Sequence, residues 1–213
     1  MAYINSLLPS LISGLTTTLE IFIITLLISI PLGVVVAFGR LSNIKVISKT
    51  IQSYILVMRG TPLMLQLVFV FFGLPYIGIA LDRNSAALVA FILNYAAYFA
   101  EIFRGGIDSI EIGQYEGAIV LGLSKVRTIT RIILPQVIKR VLPSVGNEVI
   151  NLVKDTSLVY VVGLGELLRA GKIASNRDAT LIPFVAVGII YLLIVMLLTE
   201  GFKRLEQRYS YYQ

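Results

Sequence analysis

The side chains able to do chemistry in this chain are few, and they sit inside apolar runs. Asn94, Tyr98 and Glu101 follow one another at intervals of four and three, which places all three on one face of a helix. A second stretch repeats the pattern with Asn147 or Glu148, then Asn151, then Lys154 or Asp155. Carboxylates held in this way can exchange protons as general acid and base. Carboxylates, amides and a phenol on facing helices can equally hold a small polar solute. The enzymatic option is poorly supported, because the chain has no cysteine and no histidine and therefore no thiolate or imidazole for a nucleophile, a metal site or a disulfide. No G-x-x-x-x-G-K-[ST] phosphate loop occurs either. The sequence thus predicts no catalytic residue, no metal and no cofactor in this chain.

The elements that must position these groups are apolar. Of 213 residues 57% are hydrophobic and only 14% charged, with a mean hydropathy of +0.87, more apolar surface than a soluble domain of this size can bury. Lipid is the expected solvent, and one membrane domain over 1–213 is the simplest organisation. Spans are expected at about 14–39, 60–81, 84–104, 141–168 and 179–201, each long enough to cross a hydrocarbon core of roughly 30 Å. Glu148, Lys154 and Asp155 interrupt the fourth, so that span must face protein or water. The segment 105–140 carries Lys125, Arg127, Arg131, Lys139 and Arg140 and reads as a helix-rich loop outside the membrane. Basic residues gather at one side, from Arg40, Lys45 and Lys49 through that loop to Lys203, Arg204 and Arg208, which makes it the cytoplasmic side and puts the amino terminus outside. The same positive excess argues for membrane orientation rather than nucleic-acid binding. The first charge is Glu20, so no signal peptide is expected.

Within the loop, Glu116-Gly117-Ala118, then Gly122, then Ile132-Ile133-Leu134-Pro135 carry information in their spacing. It resembles the E-A-A, three residues, G, nine residues, I-x-L-P signature of permease subunits of binding-protein-dependent ABC importers, with Gly117 in place of the usual Ala. Four further segments resemble the subfamily that imports polar amino acids such as histidine, glutamine, glutamate, arginine or cystine: Arg59-Gly60-Thr61-Pro62, the run from Ala97 to Gly106, Gly113-Gln114, and the run from Lys154 to Leu158.

The resemblance implies an all-α polytopic protein of the type I ABC importer permease fold, in the bacterial cytoplasmic (inner) membrane, with the carboxyl terminus cytoplasmic. Its implied partners are a second permease subunit, identical or paralogous, two cytoplasmic ATP-binding subunits carrying ATP and Mg, an extracytoplasmic substrate-binding protein, an amino acid and the lipid bilayer. Glu116, Gly117, Ala118, Gly122, Ile132, Leu134 and Pro135 would form the knob that docks on an ATPase. The competing role for this loop is a surface helix held on anionic lipid by Lys125, Arg127 and Arg131. Asp155 is the first candidate for the substrate's ammonium, with Asn94, Tyr98 and Glu148 as further substrate contacts; the alternative is that these groups bond helix to helix. Glu101 is expected to pair with Arg104. Arg59-Gly60-Thr61-Pro62 is read as a turn into span two, with Thr61 capping and Pro62 in the first helical turn. Pro31-Leu32-Gly33 and Pro183 are read as bends or close-packing points. A permease for methionine or an oxyanion, an intramembrane enzyme and a scaffold are the alternative functions.

Overall fold

A computed structural model describes residues 2–209; Met1 and residues 210–213, which the domain 1–213 includes, lie outside the described residues. The described residues are all-α. Helix α1 is Ala2–Arg40, α2 Lys45–Gly60 and α3 Leu63–Val68, the last continued by a π turn Phe69–Gly73 and a 3-10 turn Leu74–Ile77. Then come α4 Arg83–Asp108, α5 Ile112–Val120, α6 Lys125–Thr128 with a π turn Ile129–Ile133, and α7 Leu134–Asp155 with a 3-10 turn Thr156–Val162. Helices α8 Leu167–Asp178 and α9 Ile182–Tyr209 complete the chain.

Helices α1, α4 and α9 are long and apolar enough to cross a membrane, and α2 with α3 and its turns makes a fourth if that pair, bent by 104°, is one span. Helix α1 starts well before the span expected at 14–39. Its extension is held by packing: Leu7 and Leu11 bury themselves with Leu167, Ala174 and Val187 of α8 and α9, and Tyr3 donates a hydrogen bond to Asp178 at 2.7 Å. The Arg177 guanidinium and the Tyr3 hydroxyl together hold the Asp178 carboxyl well below its usual range, at about 2.

Three further boundaries differ from expectation, each for a local reason. The run 60–81 is not one rod, because the helix breaks at Thr61 and Pro62. The helix-rich loop is shorter than its expected bounds of 105–140: α4 runs on to Asp108, and α7 begins at Leu134. The segment 141–168 divides at Asp155, where the backbone tightens into a 3-10 turn that ends on Gly163 at φ +84°, and α8 starts only at Leu167. Glu166, fully buried, caps α8 by accepting from the backbone N–H of Leu168 and Arg169, both at 2.6 Å, which satisfies two of the helix-end donors.

The central packing is between α1 and α4, which run parallel. Lipid gives no hydrophobic drive for helices to associate, so close approach through small side chains must supply it. Thr25, Ser29, Gly33 and Ala37 of α1 are buried, and α4 buries Ala86, Ala87, Ala90, Ala96, Ala97 and Ala100. Gly33 is the tightest point on this face: a Cβ there would stand 2.7 Å from Phe99 Cβ and 3.2 Å from both the Ala96 carbonyl and the Ala100 nitrogen. Pro31 lies inside α1 without ending it, and Pro183 is buried near the start of α9.

Gly33→Leu should therefore force α1 from α4 and lower thermal stability in detergent by the equivalent of roughly 1–3 kcal/mol. Gly201→Ala, where a Cβ meets nothing within 4 Å, should leave the melting temperature unchanged or slightly raised.

Candidate functional site

The site begins with a missing hydrogen. Pro62 has no N–H, so the carbonyl of Met58, four residues earlier, loses its helical partner and the chain leaves α2. At the half-buried Met58 that oxygen must find donors elsewhere. It finds two: Gln66 Nε2 and Asn94 Nδ2 each donate to Met58 O at 2.9 Å. Gln66 also donates to the Thr61 carbonyl at 3.2 Å and hydroxyl at 2.8 Å, and Asn94 donates to Gln66 Oε1 at 3.0 Å. Thr61 does not cap α3. It closes α2, its hydroxyl donating to Val57 O at 2.8 Å, and Pro62 itself stands at the N-cap of α3 with no side-chain cap bond. A hydroxyl that completes the preceding helix is not free to cap the next.

Around this break opens a cleft of ≈ 670 Å³ lined by α2, α3, α4, α7 and the 3-10 turn. The wall from α7 carries Glu148, Asn151 and Asp155, so of the alternatives the sequence offered it is this set that faces the cleft. Asn147 lies instead in a groove with Pro143, Gly146 and Phe202, and Lys154 is exposed. The wall from α4 carries Asn94, Tyr95 and Tyr98. Tyr95 donates to Asp155 Oδ2 at 2.7 Å, fixing the carboxylate across the helix interface. Both amide hydrogens of Asn94 are committed to Met58 and Gln66, so toward the cleft it has only its carbonyl oxygen left to offer.

Facing the two carboxylates is Arg59, whose guanidinium carbon lies 5.1 Å from the centroid of the Tyr98 ring. Sequence reading treated its segment as a turn and missed it, because nothing in the spacing says that a 104° bend swings the last turn of α2 into the bundle. Tyr95 and Gln66 were also missed. Gln66 did leave a signal, being the only carboxamide in the run 60–81, where an unpartnered amide would be costly. Glu101 makes the expected pair with Arg104, bidentate at 2.9 and 2.8 Å, and Arg104 also reaches Asp108 at 2.6 Å.

The second group of sequence candidates lies on and behind α5. Glu116 and Gly117 are exposed, while Ala118 is buried against the rest of the chain. Gly122 adopts φ +69°, and Leu123 N–H bonds to Ala118 O at 3.0 Å while Gly122 N–H bonds to Ile119 O at 2.9 Å, a Schellman stop that ends α5 sharply. The glycine serves a sharp exit from the helix, and no neighbour lies within 4 Å of its missing Cβ. Pro135 sits in the first turn of α7, just after the π turn whose last bond runs from Leu134 N–H to Ile129 O. The wider turn accommodates the residue that cannot donate. Ile132 is part-buried and Leu134 exposed. Gln136 ties the two elements together, donating to Gln114 Oε1 at 3.1 Å. The projecting end of α5 is apolar: Ile119, Val120 and Leu121 are all more than 70% exposed.

Comparison with known proteins places this geometry. Residues 29–211 match the model of the family described as binding-protein-dependent transport system inner membrane component. The arginine transport system permease protein of Bacillus subtilis (strain 168) is 38% identical over 203 residues, covering 94% of this chain and 93% of the relative. The glutamine transport system permease protein of Escherichia coli (strain K12) is 38% identical over 205 residues, with coverage of 94% and 93%. Among solved structures, an amino acid ABC transporter with histidines superposes with a TM-score of 0.90 at 33% identity, covering 97% of each chain. The methionine ABC transporter MetNI, in inward-facing conformations, shares the fold with a TM-score of 0.75 at 20% identity, covering 94% of this chain and 96% of that one. This chain therefore belongs to the family of inner membrane components of binding-protein-dependent transport systems.

Proposed function

We propose that the chain is the permease subunit of an ATP-driven importer of polar amino acids, and that the cleft around the Thr61-Pro62 break is its substrate station. The observation that carries this reading is the opposition of charge across the cleft: Glu148 and Asp155 on one wall, Arg59 on the other. A zwitterion satisfies both walls at once, its ammonium on Asp155 and Glu148 and its carboxylate toward Arg59, with the Asn94 carbonyl and the Tyr98 hydroxyl bonding what remains. A ligand bearing one charge would leave the other wall uncompensated, at a cost that grows as that wall is shielded from water. The arginine and glutamine systems named for the relatives fit that class of ligand.

Members of this family are transport components rather than enzymes, so the energy comes from partners. We assign ATP and Mg to two cytoplasmic ATPase subunits and delivery of substrate to an extracytoplasmic binding protein. A second permease subunit, identical or paralogous, completes the pathway. The apolar, exposed tip of α5, its sharp exit at Gly122 and its tie to α7 through Gln136 fit a knob seated in an ATPase groove. In this orientation the Arg40 end of α1, α5 and the end of α9 face the cytoplasm, and the Asp82 and Asp178 turns face outward. Alternating access then moves α7, with its two carboxylates, relative to α4.

The test is ATP hydrolysis by the complex in proteoliposomes with its ATPase and binding protein, scanned across the amino acids. One or more polar amino acids should stimulate wild type. Asp155→Asn should raise the concentration needed by at least about tenfold, as expected when one partner of a buried charged contact is removed. Stimulation unchanged in Asp155→Asn, or by no amino acid at all in an assembled complex, would overturn the substrate reading. Glu116→Lys, on the exposed face of α5, should lose coupling: ATP hydrolysis in this variant should no longer respond to amino acid, or the ATPase should fail to copurify. Full stimulation in Glu116→Lys would remove α5 from the coupling role.

A further inference from the structure

Arg59 lines not one cleft but two. Toward the Arg40 end of the bundle a second cleft of ≈ 440 Å³ is lined by Arg40, Gln52, Arg59, Glu101 and Arg104, among others, and it shares Arg59 and Gly60 with the first. Both residues lie on the boundary that the two clefts share. Arg59 Nη1 lies 3.8 Å from Glu101 Oε2, an ion pair at the limit of contact, and the Arg59 side chain is 43% exposed. Arg104, by contrast, grips Glu101 with two bonds at 2.9 and 2.8 Å.

The geometry therefore distinguishes a fixed partner from a movable one. Glu101 is held by Arg104 whether or not Arg59 is present, so withdrawal of Arg59 leaves no carboxylate unpaired. The Tyr98 ring offers the guanidinium a face at 5.1 Å, a contact compatible with either direction of its head group.

We infer that Arg59 is the gate between the two clefts. Resting on Glu101 it closes the passage; when ATP-driven movement of the helices loosens that pair, a ligand carboxylate in the first cleft draws the guanidinium away and opens the path to the second. The exit is then specific as well as sealed: a solute without a free carboxylate cannot open it. This inference rests on the first cleft being the substrate station, and it adds that Arg59 acts on passage rather than on affinity alone.

The experiment uses the whole complex in liposomes preloaded with radiolabelled L-glutamine, without ATP, and measures efflux. Wild type and Arg59→Lys, which keeps the cation, should be tight. Arg59→Gln and Glu101→Gln should leak about tenfold faster, the effect of one lost charged contact. Liposomes preloaded with the carboxamide of L-glutamine should retain it in wild type and lose it in Arg59→Gln. Equal tightness of wild type, Arg59→Gln and Glu101→Gln in assembled complexes overturns the gate, as does a wild type that leaks like the variants. The two readings fail separately: if wild type imports amino acids while Arg59→Gln stays tight, only the gate falls. If Arg59→Gln leaks while wild type imports no amino acid, the substrate assignment falls and with it opening by a ligand carboxylate, while Arg59 remains the seal between the clefts.

Discussion

The absent N–H of Pro62 is the constraint from which the interior of this bundle follows. One carbonyl, that of Met58, is left without its helical partner, and a backbone acceptor packed within the bundle needs donors from elsewhere. Supplying it takes the side chains of Gln66 and Asn94, and placing those two amides fixes α3 and α4 relative to the end of α2. The break opens a cleft where a continuous helix would have left none, turns Arg59 inward, and consumes the donors of Asn94. The polarity of the cleft is thus largely a by-product of satisfying backbone, to which the carboxylates of α7 are added.

Small side chains make this arrangement possible on the other side of α4. Because Gly33 and Ala37 let α1 approach to backbone contact, α4 is clamped along one face and can present Asn94, Tyr95, Tyr98 and Glu101 along the opposite one without tilting. Tyr95 then reaches α7 and holds Asp155 at a defined place. A site built on helix faces locked by packing keeps its geometry better than one built on loops.

Much of this was legible in the sequence, and the rest was not for identifiable reasons. The stripes at Asn94 and Tyr98 and at Glu148, Asn151 and Asp155 could be read because helical periodicity is local and the cost of burying polar groups forces them together. Gly122 stood out by its fixed spacing from Glu116 and Pro135, and only glycine adopts its backbone cheaply. Arg59 could not, since its place depends on a bend angle that involves residues up to Asn94. Nor could the continuation of α4 to Asp108 or the early start of α7: the segment read as a helix-rich loop, but where its helices begin and end is set by the packing of Tyr115, Ile133 and Gln136. Tertiary contacts override composition at these boundaries.

Helix α7 carries both the segment tied to α5 and the two carboxylates of the cleft, and it contains Pro143 between them. At that proline the Lys139 carbonyl has no helical donor, which makes it the softest joint in an otherwise stiff rod. Twelve residues separate it from Asp155, a lever of about 18 Å at the helical rise. A flexure of about 10° there sweeps the Asp155 end through about 3 Å, by the same rise, more than the 2.7 Å bond to Tyr95 can follow. The molecule is geared so that a small rotation near its base is enough to part an acidic jaw from the tyrosine that holds it.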